Sequence, residues 1–225
     1  VQPPSPLPAP DLPDPDLSGR PRGRPALPEP VLRQKVVQAA TQILLSQGYP
    51  AMTMEAVARQ ANVAKKTAYR FAANREDLVA LILDGWTAEF PQAFAAEAAE
   101  TGAALQALED GLMLIAGRVL TAEAVGLFRL LVNDVPARAG LLAVYTTSGV
   151  ERSRALLADW LARHQARGVI ACADPAMAAD LILSMVIAEP LRQIAIRHRE
   201  PLPGWDLRPR IRAALDLLAL KPPSV

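Results

Sequence analysis

Five side chains in one short stretch, AKKTAYRF (64–71), are suited to recognition rather than to bond-making: Lys65, Lys66, Thr67, Tyr69 and Arg70. Wound as a helix, the stretch puts Ala64, Ala68 and Phe71 on one face and these five on the other. Lysine and arginine carry charge for phosphates and can meet guanine edges. Threonine and tyrosine can hydrogen-bond phosphate or touch a thymine methyl. A second basic set precedes this one. In SGRPRGRP (18–25), Arg20, Arg22 and Arg24 alternate with glycine and proline. Arginine on so thin and extended a chain suits the narrow minor groove of A·T-rich DNA. A solubilising linker is the other reading of the same residues.

Charge is concentrated where these residues lie. Residues 19–76 hold ten Lys/Arg against three acids, a net of +7. Residues 1–18 and 77–225 each carry a net of −3, which leaves the chain at +1. A basic segment inside a near-neutral chain implies an anionic partner for that segment alone.

Nothing in the sequence adds covalent or metal chemistry to this. Cys172 is the one cysteine, which excludes an internal disulfide and a Cys-based zinc site. The two histidines, His164 and His198, are far apart in sequence. The Ser, His and Asp residues of 77–225 join into no catalytic motif. The expectation is no metal, no cofactor and no enzymatic activity. His164, beside Arg163 and Arg167, reads as an exposed helix-end histidine, and Cys172 as a small buried filler. No apolar run reaches the length of a membrane span, and the N-terminus lacks the apolar core of a signal peptide. The cytoplasm is the expected location.

Elements must hold the candidate residues in place. The chain is 51% hydrophobic and 21% charged, with alanine and leucine prominent. It can bury a sizeable core, and it favours helix over sheet. Eleven prolines in residues 1–30 predict an extended, polyproline-like arm. From Val31, apolar residues at Val36, Ala40, Ile43 and Leu44 recur at helical spacing up to Gln47, and Gly48 closes the helix. TMEAVARQANVAKKTAYRF then reads as two short helices and a tight turn. Thr53 caps the first, and Ala58 is small where the two helices cross. Asn62 tolerates the left-handed turn position, and Val63, Ala68 and Phe71 point inward. That is a helix-turn-helix, whose second helix enters the major groove. Asn74 caps a helix from Arg75 to Phe90 or beyond, with Leu78, Leu81, Ile82 and Trp86 on one stripe and Pro91 interrupting it. Further helices are predicted over 102–120, 122–133, 140–167, 175–198 and 207–219, with a kink at Pro190.

The stretch TMEAVARQANVAKKTAYRFAANREDLVALIL resembles the N-terminal domain of TetR-type transcriptional regulators. Thr53, Val63, Lys65, Thr67, Tyr69, Phe71, Arg75, Glu76 and Leu78 supply the family pattern in order and spacing. Departures are Asn62 where the turn usually has glycine, Ala64 where serine often caps the recognition helix, and Ala72 where phenylalanine is common. The resemblance implies an all-α fold in three parts: a disordered Pro/Arg-rich arm (1–28), a helix-turn-helix DNA-binding domain (29–76), and a helical effector-binding and dimerisation domain (77–225).

By the same resemblance, Lys65, Lys66, Thr67, Tyr69 and Arg70 face DNA. Thr53 and Arg75 meet the phosphate backbone, and Arg22 and Arg24 of the arm reach the minor groove. A homodimer is implied, built from 175–198 and 207–219, with Leu181, Ile182, Met185, Val186 and Ile194 apolar enough for an interface. Such a dimer reads a palindromic operator on double-stranded DNA. The implied partner is a small, largely apolar effector, with Trp86, Phe90, Met113, Phe128, Trp160 and Met185 as candidate pocket residues. The expectation is a sequence-specific regulator, a repressor released from its operator by that effector. The alternative is an A·T-rich DNA architectural protein that binds through the arginine arm.

Overall fold

The structure, a computed structural model, describes residues 27–132 and 139–220. Arg22, Arg24 and the rest of the arm up to residue 26 lie outside the described residues, and so does the predicted break at Val135–Pro136. Among the described residues every regular element is a helix.

The first helix, α1 (Glu29–Gln47), starts two residues earlier than its apolar pattern. Pro30 sits in its first turn, where a missing N–H costs nothing. Gly48, at φ 84°, ends it. A short 3-10 turn (Tyr49–Ala51) leads to α2 (Met54–Gln60) and α3 (Lys65–Phe71). Thr53 caps α2 by accepting a hydrogen bond from Ala56 N at 3.1 Å. Asn62 adopts φ 52°, the left-handed turn conformation expected of it. Helix α4 (Arg75–Thr87) is capped reciprocally: Asp77 N donates to Asn74 Oδ1, and Ala73 N donates to Asp77 Oδ2, both at 2.8 Å. It stops short of Phe90, and a separate turn, α5 (Phe90–Ala93), carries Pro91.

Helices α6 (Thr101–Val119) and α7 (Ala122–Val132) follow. The predicted helix over 140–167 is a composite of α8 (Ala139–Val144), a π-helical segment (Tyr145–Glu151) and α9 (Arg152–Ala166). The next long stretch is built the same way, from α10 (Pro175–Leu183), a second π-helical segment (Ser184–Ala188) and α11 (Glu189–Ala195). Pro190 explains the second widening. It has no N–H for the Val186 carbonyl, and its ring crowds that carbonyl. The predicted kink is thus realised as π geometry just before the proline. The last helix is α12 (Arg208–Leu217).

Packing forms two hydrophobic cores. The first joins α1 to α4 through Val36, Ile43, Val57, Ala68, Leu78 and Ile82. It continues past α4 into Leu127 and Leu131 of α7 and Leu141 of α8. Gly126 lets α7 approach α1 closely, since a Cβ there would lie 2.9 Å from Leu45 Cδ2. The second core is gathered by α5 to α12 around Phe90, Phe94, Leu108, Leu112 and Trp160.

One expectation is overturned. His164 is not an exposed helix-end residue: it is 0% exposed. Its ring stacks on Trp160 at 3.8 Å between centroids. Ala98 N donates to its Nε2 at 3.2 Å, and its Nδ1 lies 2.9 Å from the Trp160 carbonyl. The chain between α5 and α6 folds over the end of α9, and its backbone needs an acceptor there. Sequence spacing along α9 alone carries no sign of that. Cys172 is half-buried, and burial pushes its thiol pKa up.

Candidate DNA-binding face and ligand cavity

The α2–turn–α3 unit is closed by Asn62 N donating to Arg59 O at 3.1 Å and Val63 N donating to Ala58 O at 3.0 Å. Val63, Ala68 and Phe71 turn toward the first core. Lys65, Lys66, Tyr69 and Arg70 are exposed on the other face of α3, with Thr67 half-buried between them. Five of the predicted recognition residues therefore share one helix face. Thr53 stands exposed at the start of α2, and its hydroxyl proton stays available to a phosphate because its oxygen is the cap acceptor. Arg75, at the start of α4, is held over the Tyr49 ring, 4.9 Å from its centroid.

The sequence reading missed one feature of this face. Glu55 of α2 lies 2.5 Å from Lys65 Nζ. The hydrogen bond holds the Glu55 carboxyl below its ordinary pKa and raises the Lys65 ammonium above its own. Without DNA, the Lys65 ammonium is therefore paired with Glu55, whereas Lys66 and Arg70 have no ion pair among the described residues. An acid one turn into α2 was the available signal, but only the crossing of α2 and α3 brings it to Lys65.

A cavity of about 240 Å³ lies between the two cores. Leu83, Trp86 and Thr87 of α4 form one wall, and Ile115 of α6 with Phe128 of α7 another. Tyr145, Gly149 and Val150 come from the first π-helical segment, and Ser184, Ile187 and Ala188 from the second. Both π-helical segments among the described residues thus border this one space, and such segments are frequent at functional sites. Two of their carbonyls are satisfied by side chains: Ser153 Oγ donates to Gly149 O at 2.8 Å, and Arg210 Nε donates to Met185 O at 2.6 Å.

Of the predicted pocket residues, Trp86 and Phe128 line this cavity. Phe90 lines a smaller one of about 180 Å³, which shares Thr87 and Ser153 with the first. Trp160 is sealed in the second core, and Met113 and Met185 pack against that core. Tyr145, Leu183 and Ile187 line the cavity without any sequence signal, because the π widening decides which way they face.

Helix α4 connects the two sites. Its C-terminal turn walls the cavity, and its N-terminal turn holds the short connection that follows the recognition helix, through the Asp77–Ala73 bond. Leu83, Trp86 and Tyr145 belong both to the cavity wall and to the packing of the first core.

A helix-turn-helix joined by a shared helix to a ligand-sized cavity defines a DNA-binding regulator. Comparisons agree. The family described as bacterial regulatory proteins, tetR family, matches residues 36–82. The AefR-like transcriptional repressor C-terminal domain matches residues 106–219. The chain belongs to the TetR family of transcriptional regulators.

Comparison with curated proteins gives no match. Among solved structures, the chain is similar to a TetR-family regulator from Mesorhizobium loti MAFF303099 at 21% identity and TM-score 0.62, covering 87% of this chain and all of the other. It is similar to the flavonoid-responsive regulator FrrA at 25% identity and TM-score 0.62, covering 86% and 98%. The FadR regulator of Bacillus subtilis, solved with stearoyl-CoA, shares the fold at 16% identity and TM-score 0.59, covering 83% and 97%.

Proposed function

We propose that this chain is a homodimeric repressor that reads a palindromic operator and leaves it when a small, largely apolar effector fills the cavity. The observation that carries the reading is α4, which borders the cavity at one end and, at the other, is bonded to the short connection leading from the recognition helix. An effector that binds more tightly to one position of α4 than to another shifts the population of DNA-competent dimers. FrrA, itself flavonoid-responsive, supports a small-molecule trigger. On the operator, Lys66, Thr67, Tyr69 and Arg70 meet base edges and phosphates, Thr53 and Arg75 meet phosphates, and Arg22 and Arg24 follow the minor groove. Lys65 joins them only by exchanging Glu55 for a phosphate.

The dimer would form on α10 and α12. Ile182, Val186 and Ile194 are spent on the protomer's own core, but Met177 and Leu181 of α10 and Leu217 of α12 are exposed large hydrophobics. A two-fold face of this kind lets two recognition helices meet two half-sites. Sedimentation of Leu181→Glu/Leu217→Glu tests this. We expect a folded monomer with no tight binding to a full palindrome. A variant that stayed dimeric, with wild-type operator affinity, would place the interface elsewhere.

A further inference from the structure

Resting on that reading of the cavity, we infer that its ligand is a compact, uncharged ring compound carrying one hydrogen-bond acceptor, and that Tyr145 is the residue that recognises the acceptor. Four observations lead to this class.

The cavity, at about 240 Å³, falls below the roughly 300–1,000 Å³ usual for drug-sized ligands. Its lining also offers no free cation. The only charged residues on it are Arg154 and Asp180, and they pair with each other at 2.7 Å. A carboxylate or phosphate placed against the apolar wall would lose water without gaining a partner, which is costly, and beside the half-exposed Arg154 it would meet the Asp180 charge.

The walls carry three aromatic rings, those of Trp86, Phe128 and Tyr145. Flat rings gain from edge or offset contact with such walls. Finally, among the described residues, two of the four lining hydroxyls are bonded within the chain and two are not, those of Ser184, which is exposed, and of Tyr145, which is half-buried beside the aromatic walls. Thr87 Oγ1 donates to Leu83 O at 3.0 Å, and Ser153 Oγ donates to Gly149 O at 2.8 Å. The Tyr145 hydroxyl has no hydrogen-bond partner among the described residues, and burial raises its pKa, which keeps it a proton donor. A ligand that offered it no acceptor would leave that group unpaired.

The test is calorimetric titration of the purified full chain with naphthalene, 2-naphthol, 2-naphthoate and stearoyl-CoA. The first three share a ring system and differ in the polar group. Three proteins are compared: wild type, Tyr145→Phe and Gly149→Leu. A Cβ at Gly149 meets only Leu83 Cδ2, at 4.0 Å, so a leucine there occupies the cavity without a backbone clash. We expect 2-naphthol to bind wild type about tenfold or more tighter than 2-naphthoate. We expect Tyr145→Phe to bring 2-naphthol down to the affinity of naphthalene, and Gly149→Leu to abolish binding. Tighter binding of 2-naphthoate or stearoyl-CoA, lost in Gly149→Leu, would overturn the ligand class while leaving the cavity as the effector site. Binding of 2-naphthol that Gly149→Leu does not weaken would overturn the cavity assignment itself. Failure of all four compounds to bind wild type would overturn the inferred class.

Discussion

Tyr49 Oη donates a 2.7 Å hydrogen bond to Glu76 Oε1, tying the 3-10 turn after α1 to the first turn of α4. The phenol is buried, and burial together with the neighbouring carboxylate pushes its pKa up to about 12. The same bond holds the Glu76 carboxyl below its ordinary 4.5. The two shifts act at opposite ends of the pH scale. The Glu76 contribution is present above the ordinary carboxylate value and is lost as pH falls through the lowered one. The Tyr49 contribution is present below the ordinary 10 and is lost as pH rises toward about 12. Tyr49→Phe is expected to cost about 1–2 kcal/mol near neutral pH and to flatten the stability profile at both ends. Thermal unfolding across pH measures both.

Glu55 tempers the DNA face. Removing its charge in Glu55→Gln releases Lys65 from the 2.5 Å pair. Each added phosphate contact steepens the dependence of log affinity on log salt by about 0.9. We expect Glu55→Gln to bind random duplexes more tightly than wild type, with a slope steeper by about that amount. Lys65→Ala should lose less affinity than Lys66→Ala, because only Lys66 comes to DNA free of an ion pair. Anisotropy titrations at several salt concentrations decide both points.

His164 is a structural keystone of the second core. Its removal empties the space under Trp160 and leaves the Ala98 N–H without an acceptor. A cavity plus an unsatisfied donor predicts that His164→Ala costs about 2–4 kcal/mol. Denaturant unfolding should show a lower midpoint with an unchanged slope.

Glu109 fastens α12 to α6. Arg212 bonds it at 2.8 and 2.9 Å and Arg208 at 2.9 Å, although its carboxylate is buried. The Arg212 bonds hold its pKa below 4.5 against the opposing effect of burial. That stabilisation is present above the ordinary carboxylate value and is lost on acidification. Arg212→Ala is expected to lower stability at neutral pH, with a smaller further loss in acid than wild type shows. If α12 carries the dimer, its dissociation constant should rise as well.

Most of the DNA-binding half was legible in the sequence, because its signals are local. A threonine cap, a left-handed asparagine and an inward Val63–Ala68–Phe71 set each depend on near neighbours. Trp86 and Phe128 were recognisable as cavity residues on size and position. Trp160 was misplaced because a large aromatic serves a core and a pocket equally well, and only packing decides between them. Tyr145 was invisible because it faces the cavity through a π widening that no hydrophobic period announces. The burial of His164 depends on a loop more than sixty residues away in sequence, which one-dimensional periodicity does not encode.

Selection of bound duplexes from a random pool, run in parallel on wild type and Tyr69→Ala, shows whether α3 reads sequence as part of a dimer. Tyr69 is 43% exposed, so its loss should leave folding nearly untouched. Wild type is expected to enrich one palindrome, with half-sites about 10 base pairs apart or a multiple of that, and Tyr69→Ala to enrich none. Enrichment of A·T content without a palindrome, equal in both proteins, would contradict that expectation.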